Sequence, residues 1–215
     1  MAESASEPAT PEHESLPLFP LPLVLFPGAI SRLRIFENRY LAMTRECSAK
    51  GTGFGIVHFQ PAGENQPARH AAIGTEALIE DFTTLEDGLL GITVRGRRRF
   101  RIHSTRARDD GLILGQVEWI PAEPALPVDP EFAVLQAVLR ELAGHDAFAE
   151  LNRVESDDAS ALGMALASVL PLDVMHAQEL LAVSDPNERL RVLGLLLSRD
   201  DDEDQDPEDA DAFDP

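Results

Sequence analysis

The stretch LPLFPLPLVLFPG, residues 16–28, decides how the fold begins. Four of its residues are prolines: Pro17, Pro20, Pro22 and Pro27. Because a proline lacks an amide donor and clashes with the preceding helical turn, this stretch is extended and not helical. A proline also interrupts the hydrogen-bond ladder of a central strand. We therefore expect an edge strand whose apolar side chains pack inward.

The next residues change their hydrophobic period. Ile30, Leu33 and Ile35 predict a short second strand, and from Asn38 the spacing becomes helical. One face of this predicted helix carries Tyr40, Met43, Thr44 and Cys47. Gly51 is expected to end the helix.

Further strands and helices follow in two blocks. Turn-bounded apolar runs predict strands at 53–59, 73–82, 89–94, 99–103 and 112–120, with a mobile polar loop at 63–69. Four prolines within 121–130 predict a stiff connector. Beyond it, Asp129-Pro130 and Asp185-Pro186 mark helix starts. Three apolar stripes at helical spacing consist of Phe132, Leu135, Leu139 and Leu142; Leu162, Leu166, Val169 and Leu170; and Leu190, Leu193 and Leu197.

Charge is concentrated at the chain ends. The net charge is −20, from 18 Lys and Arg against 38 Asp and Glu. Residues 199–215 hold ten of the acids and one base, and few apolar side chains, so this tail cannot bury enough surface to offset its ordering entropy. We expect a disordered leader at 1–15 and a disordered, solvated tail at 199–215. The alternative is that the tail docks on a basic surface such as residues 95–108.

The single cysteine, Cys47, excludes an intrachain disulfide and a cysteine-rich zinc cluster. The N-terminal apolar stretch is short, rich in proline and preceded by no basic region, so we expect no signal peptide and no membrane span. These features favour a cytoplasmic protein.

The order of several motifs resembles the N-terminal substrate-binding domain of Lon proteases. The proline-rich strand and the helix opening IFENRY are followed by IGTEA at 73–77, by a hairpin at Asp87-Gly88 and by a Gly-x-x-Arg-Phe element. The positions that match are Pro20, Pro27, Phe36, Glu37, Arg39, Tyr40, Gly74, Gly96, Arg99 and Phe100, and we expect them to be structural. A closing helix pair with Arg189 and Leu190 extends the likeness to residue 197.

The resemblance implies an α+β fold. A six-stranded, PUA-like β pseudo-barrel with one helix would occupy residues 16–120, and a small helical bundle residues 131–198. It also implies a non-catalytic module that binds exposed apolar segments of unfolded or damaged polypeptides, with no cofactor, as a monomer or weak dimer beside a separate ATP-dependent protease. Candidate contacts are Leu23, Leu25, Phe26 and Ile30, although core packing is the favoured interpretation for the first three.

Catalytic alternatives find little support in the sequence. The only lysine, Lys50, follows Ala49, so there is no Gly-x-x-x-x-Gly-Lys phosphate loop and no Ser-Lys dyad. Cys47 with His58 or His70 is a conceivable nucleophilic pair, but its apolar helix face favours a buried thiol. His103 and His176 lack a partner histidine at ligand spacing, so no metal site is expected.

Seven arginines lie within residues 95–108: Arg95, Arg97, Arg98, Arg99, Arg101, Arg106 and Arg108. On a regular strand, Arg97, Arg99 and Arg101 would point to one face and Arg98 with Phe100 to the other. A solvated, ion-paired face is the favoured interpretation. The alternative is an RNA-binding regulator whose Arg95, Arg97, Arg98 and Arg101 contact phosphates, which the acidic composition and the scarcity of aromatic residues disfavour.

Overall fold

The computed structural model describes residues 14–60 and 69–203, with side chains described as far as residue 198. Residues 1–13 of the expected leader, 63–68 of the expected loop and 204–215 of the expected tail lie outside the described residues. The chain divides into two compact units, Met1–Ala122 and Glu123–Pro215.

The first unit is a β-rich fold with one helix. Its elements are β1 (Glu14–Leu21), β2 (Ile30–Ile35), α1 (Asn38–Lys50), β3 (Phe54–Gln60), β4 (Arg69–His70), β5 (Ile73–Thr84), β6 (Leu90–Ala107) and β7 (Ile113–Trp119). The strands follow the order β1-β7-β6-β5-β3-β4, and β2 pairs with β6. Because β1 also pairs with β3, five strands close into a ring. The mixed α+β class is confirmed, and the described sheet has one strand more than the six implied, the two-residue β4.

The proline-rich strand β1 is not an edge strand, so that prediction is wrong. It pairs antiparallel with β7 from Glu14 to Leu18 and parallel with β3 from Leu18 to Leu21. Each half of β1 is therefore paired along one side only. Pro17 and Pro20 lie in different halves, and a strand paired on one side does not need every amide for hydrogen bonding.

Strand β6 runs unbroken through the two strands predicted at 89–94 and 99–103. Its pairing with β5 shifts register between Thr75 and Ala77, which lie opposite Arg99 and Gly96. Two steps along β5 therefore match three along β6. Such a bulge bends a strand without ending it. The two strands predicted at 89–94 and 99–103 are thus one bulged strand.

Helix α1 forms as its period predicts. Tyr40, Met43, Thr44 and Cys47 are its buried residues, and Gly51 ends it in the left-handed conformation with φ 64°. The phenol of Tyr40 stacks on Phe19 of β1, with 4.0 Å between ring centroids. The helix is thus fastened to the proline-rich strand by an aromatic pair.

The second unit is helical. It contains a 3-10 helix (Pro130–Phe132), α2 (Ala133–Ala143), a 3-10 segment (Asp146–Arg153), α3 (Ala159–Val169), α4 (Val174–Ala182) and α5 (Pro186–Glu203). The centres of the three apolar stripes are at most 3% exposed, namely Leu135, Leu139, Leu162, Leu166, Leu190 and Leu193. Asp129-Pro130 opens a 3-10 turn instead of an α-helix. Helix α5 extends to Glu203, past the predicted end at 198.

A buried ion pair organises this unit. The guanidinium of Arg189, which is 0% exposed, donates to both carboxylate oxygens of Glu123 at 2.8 and 2.5 Å. It also donates to the carbonyl oxygens of Leu180 and Val183, and the hydroxyl of Ser160 donates to Glu123. Every atom of the pair that needs a partner is thus supplied with one, as a buried charge requires. The pair ties the start of the proline-rich connector to α3, α4 and α5.

Candidate functional site

Strands β2, β6 and β5 form a part of the sheet with two different faces. On one face Leu33 and Ile92 pack in the larger apolar cluster of the first unit. On the opposite face, here called the outer face, Ile30, Arg95 and Leu78 lie directly opposite one another across the three strands. All three are half-buried. The outer face therefore presents an arginine between two aliphatic side chains.

Two strand edges beside this face are unpaired within the described part of the sheet. Strand β2 pairs only with β6, and β5 pairs with β3 only at residues 75–77, which leaves 78–84 with β6 as their partner. An unpaired edge offers backbone donors and acceptors to an added strand. The edge expected at β1 thus lies at β2 and at the far half of β5, where Phe82 is 48% exposed.

A groove of about 560 Å³ opens on the outer face. Its lining consists of Gly28, Leu78, Ile79, Glu80, Arg95, Gly96, Arg97 and Arg98. Arg95 is held in place, because its Nε and Nη2 donate to the Glu80 carboxylate at 2.5 and 3.2 Å and its Nη1 donates to the carbonyl of Gly28 at 3.1 Å. Arg97 is exposed and has no hydrogen bond or ion pair with the described residues. The groove therefore contains one uncommitted cation.

One wall of the groove is a turn that two motif positions specify. The amide of Ala29 donates to the carbonyl of Phe26 at 3.1 Å, and Gly28 has φ 83°, as a type II turn with Pro27 at its second position requires. Gly28 donates to the carbonyl of Gly96, and Gly96 donates to Ala29, both at 2.9 Å. A Cβ atom at Gly96 would lie 2.1 Å from the Phe26 oxygen. Pro27 shapes the turn and Gly96 allows the backbone of β6 to pack directly against it.

The arginines of β6 do not alternate as predicted. Arg99 is 4% exposed, whereas Arg97 and Arg101 are exposed, so the three do not form one solvent-facing row. The bulge at Arg97 and Arg98 shifts the alternation by one residue. Phe100, next to Arg99, is 0% exposed. Both of these motif residues are therefore buried in the first unit.

At least three of the seven arginines in residues 95–108 are engaged by carboxylates: Arg95, Arg98 and Arg108. Arg98 donates to both oxygens of Glu76 at 2.9 and 3.3 Å, which raises the pKa of the guanidinium, and it lies 3.6 Å from the centroid of the Trp119 ring. Arg108 pairs with Glu46 and Asp110, and its hydrogen bonds lower the pKa of the Asp110 carboxyl to about 2. Among the described residues, the ion-paired face favoured above is thus present at Arg95, Arg98 and Arg108 but not at Arg97.

Phe100 explains the glycine at the motif position on β5. Gly74 lies directly opposite Phe100, and a Cβ atom there would be 2.7 Å from the ring and 2.5 Å from the carbonyl of Ile56. The ring of Trp119 meets Phe100 edge-on, with centroids 6.0 Å apart. The smaller apolar cluster of the first unit is thus built around a phenylalanine that needs a bare backbone beside it.

The IFENRY motif fastens α1 and leaves one aromatic side chain outside. Arg39 pairs with Glu37 at 2.7 Å, donates to the carbonyl of Gly111 at 3.1 Å and lies over the ring of Tyr40. Burial raises the pKa of the Tyr40 phenol. Glu37 occupies the N-cap position without a side-chain cap hydrogen bond. Phe36 is 65% exposed, so its side chain contributes little to packing.

The four candidate contacts fall into two pairs. Leu25 and Phe26 are 3% and 2% exposed, so they are core residues and a ligand cannot reach them without opening the fold. Leu23 and Ile30 are half-buried. The extended apolar run turns inward after Leu23, which is the core placement favoured for Leu25 and Phe26. Only the second pair remains as candidate contacts.

Within the described residues, the structure gives no support to the catalytic and metal-binding alternatives. Cys47 is buried, its Sγ faces the carbonyl of Gly53, and burial raises the pKa of the thiol, which disfavours a reactive thiolate. No group of three or more His, Cys, Asp or Glu side chains that could hold a metal ion occurs in the part of the chain described. His103 pairs with Glu118 and His176 with Asp173.

Sequence reasoning missed the β5 side of the outer face. The apolar pattern places Leu78 and Glu80 in the predicted strand 73–82 without indicating the face they share with Ile30 and Arg95. Period-two alternation would have placed Leu78 on the face away from Ile79, but its meeting with Ile30 depends on a strand order that the sequence does not display. The ion pair between Arg95 and Glu80 could not be predicted for the same reason, because it also depends on the strand order.

Comparison with known proteins identifies the class. Residues 15–199 match the family model described as the ATP-dependent protease La (LON) substrate-binding domain, and the chain belongs to this family. The resemblance seen in the motifs is confirmed. No helix within the described residues is long and apolar enough to cross a membrane.

Individual relatives agree with this assignment. Lon protease 2 of Herpetosiphon aurantiacus is 29% identical over 209 residues, covering 86% of this chain and 24% of that protein. The protein cereblon of Danio rerio is 30% identical over 121 residues, covering 54% of this chain and 27% of that protein. The chain therefore spans about a quarter of the length of these curated relatives. The crystal structure of a Lon N-terminal domain protein from Xanthomonas campestris superimposes with a TM-score of 0.70 at 39% identity, covering 86% of this chain and 98% of that one.

Proposed function

We propose that this chain binds exposed apolar segments of unfolded or damaged polypeptides through its first unit, without chemistry of its own. Membership of the substrate-binding family supports a binding role. The unpaired edge of β2 is the observation that carries the choice of ligand. A strand edge pairs with the backbone of an extended chain whatever its sequence, which suits a module that meets many different clients.

Apolar side chains at both ends of this edge support the same choice. Ile30 opens β2 on the outer face, and Phe36, one residue beyond the strand, is 65% exposed. Leu23, half-buried in the preceding loop, packs against the larger apolar cluster. An extended client pairing with β2 would meet Ile30 and Phe36 and remove their apolar surface from water.

The client would then be processed by a separate ATP-dependent protease, in line with the names of the relatives. Lys50, the single lysine of the sequence, is exposed at the end of α1. It lacks the desolvated surroundings that activate a lysine for catalysis. This supports recognition, not peptide-bond cleavage, as the contribution of this chain.

Fluorescence anisotropy with a labelled, permanently unfolded polypeptide tests the proposal, with single-stranded RNA as competitor at moderate salt. We expect saturable binding that RNA does not displace. Ile30→Asp should weaken binding about ten-fold or more, because it replaces a buried aliphatic contact of about 1.5–3 kcal/mol by a charge.

Ile113→Asp is the matched control, since Ile113 is also a half-buried strand isoleucine but lies in β7, away from the β2 edge. It should bind as the unchanged protein does once circular dichroism shows that both variants fold. Absence of polypeptide binding, or its displacement by RNA, would contradict the proposal.

A further inference from the structure

We propose that the groove on the outer face selects client segments in which a carboxylate lies beside an apolar side chain, with Arg97 receiving the carboxylate. This inference rests on the proposed function and adds a sequence preference to it. It assigns Arg97, one of the candidate phosphate contacts, a role in peptide selectivity instead.

The charge of the groove supports an anionic group. Three guanidiniums, those of Arg95, Arg97 and Arg98, line it. Glu80 engages Arg95 and Glu76 engages Arg98, so two of the three charges are matched by carboxylates. Arg97 alone has no partner among the described residues. An exposed guanidinium with its donors free is suited to bidentate recognition of a carboxylate.

The apolar floor supports a neighbouring aliphatic or aromatic side chain. The side chain of Leu78 lines the groove on the outer face, and Ile30 lies in the same cross-strand row. A volume of about 560 Å³ accommodates one or two side chains of a peptide and lies within the usual range for ligand pockets. The site therefore offers an apolar surface and one free cation side by side.

The position of the groove links it to the strand edges of the proposed function. Ile30 begins the unpaired edge of β2, and Leu78 begins the part of β5 that β3 leaves unpaired. The side chain of Arg95 lies between Ile30 and Leu78. Its ion pair with Glu80 and its hydrogen bond to the carbonyl of Gly28 hold it in place. Arg97 is thus presented beside a rigid surface, which reduces the ordering that binding requires.

Labelled 12-residue peptides provide the test, used with the full chain. One carries two leucines followed by glutamate, a second has glutamine in place of that glutamate, and both are amidated at the C-terminus. We expect the unchanged protein to bind the glutamate peptide about two- to five-fold more tightly, since one exposed charge pair contributes up to about 1 kcal/mol. A third peptide, with glutamine and a free C-terminal carboxylate, separates recognition of a chain end from recognition of a side chain.

Arg97→Gln should remove the preference while leaving the affinity for the glutamine peptide unchanged, and Arg97→Glu should reverse it toward a lysine-containing peptide. Arg101→Gln is the matched control, because Arg101 is another exposed arginine of β6 outside the groove. It should retain the preference in full.

Equal affinity for the glutamate and glutamine peptides, or a preference that survives Arg97→Gln, would overturn the inference while leaving the proposed function intact. If the unchanged protein also fails to bind the unfolded polypeptide, both the inference and the proposed function are overturned. Displacement of the glutamate peptide by single-stranded RNA would reassign Arg97 to phosphate recognition and would likewise overturn it.

Discussion

Arg189 holds a buried charge in the second unit. Its side chain is 0% exposed and its carboxylate partner Glu123 is 6% exposed. Arg189→Met should destabilise this unit by about 3–5 kcal/mol, because it leaves a buried carboxylate without compensation. Denaturant unfolding followed by far-ultraviolet circular dichroism measures the change.

Arg191→Met is the control, since Arg191 lies on the same helix but pairs with Glu188 at the surface. Its effect should be below about 1 kcal/mol. The double variant Glu123→Leu with Arg189→Met should recover much of the lost stability, because no buried charge then lacks a partner. A double variant no more stable than Arg189→Met alone would contradict this account.

At the residue scale, the sequence was informative where a period was regular. The buried face of α1 was predicted in full because four residues at helical spacing have only one common direction. The arginines of β6 were misplaced because a bulge changes the direction of side chains without changing the sequence pattern. Leu25 and Phe26 were offered as contacts because apolar composition does not distinguish a core residue from a binding residue.

The turn at Pro27-Gly28 and strand β6 behave as one element because they touch through bare backbone. Gly96→Ala would place a methyl group 2.1 Å from the carbonyl oxygen of Phe26. Neither strand nor turn can move freely, since two hydrogen bonds join them. We expect a loss of about 2 kcal/mol or more, as for other overpacked sites, measured as the change in unfolding free energy.

Gly194→Ala serves as the contrasting substitution. Gly194 lies in α5, and a Cβ atom there would meet nothing within 4 Å. Replacing a helical glycine by alanine in open space should stabilise by up to about 1 kcal/mol. Equal effects of the two substitutions would show that the close approach at Gly96 is not what the strand requires.

At the scale of elements, the sequence predicted the type of element correctly but not which strands pair with each other. Proline content correctly excluded helix from residues 16–28, yet it also favoured an edge position that β1 does not have. A strand can carry prolines and still have two partners when each partner covers a different half. The sequence contains no signal for this division of pairing, because the partners β3 and β7 are far away in the chain. The outer face depends on the same long-range pairing and was missed with it.

At the scale of the whole molecule, the distribution of charge sets the conditions for binding. The net charge is −20, and six acids with no base lie in residues 204–215 alone. At an ionic strength of about 0.15 M, charges more than about 8 Å apart are largely screened. A local contact at Arg97 can therefore favour a carboxylate although the chain as a whole repels anions. The preference for the glutamate peptide is a short-range property and should persist at moderate salt.

Residues 204–215, the last part of the acidic tail, offer the last prediction, since their six carboxylates are potential competitors for Arg97. Their composition predicts that they have no fold of their own to lose. Deleting residues 204–215 should change the unfolding free energy by less than about 0.5 kcal/mol, as for surface changes outside packed contacts. The affinity for the glutamate peptide should stay within two-fold. A full-length variant with the six acids replaced by their amides separates charge from length. If both changes instead raised peptide affinity several-fold, the tail would be occupying the arginine-rich segment, and the solvated interpretation of the tail would be wrong.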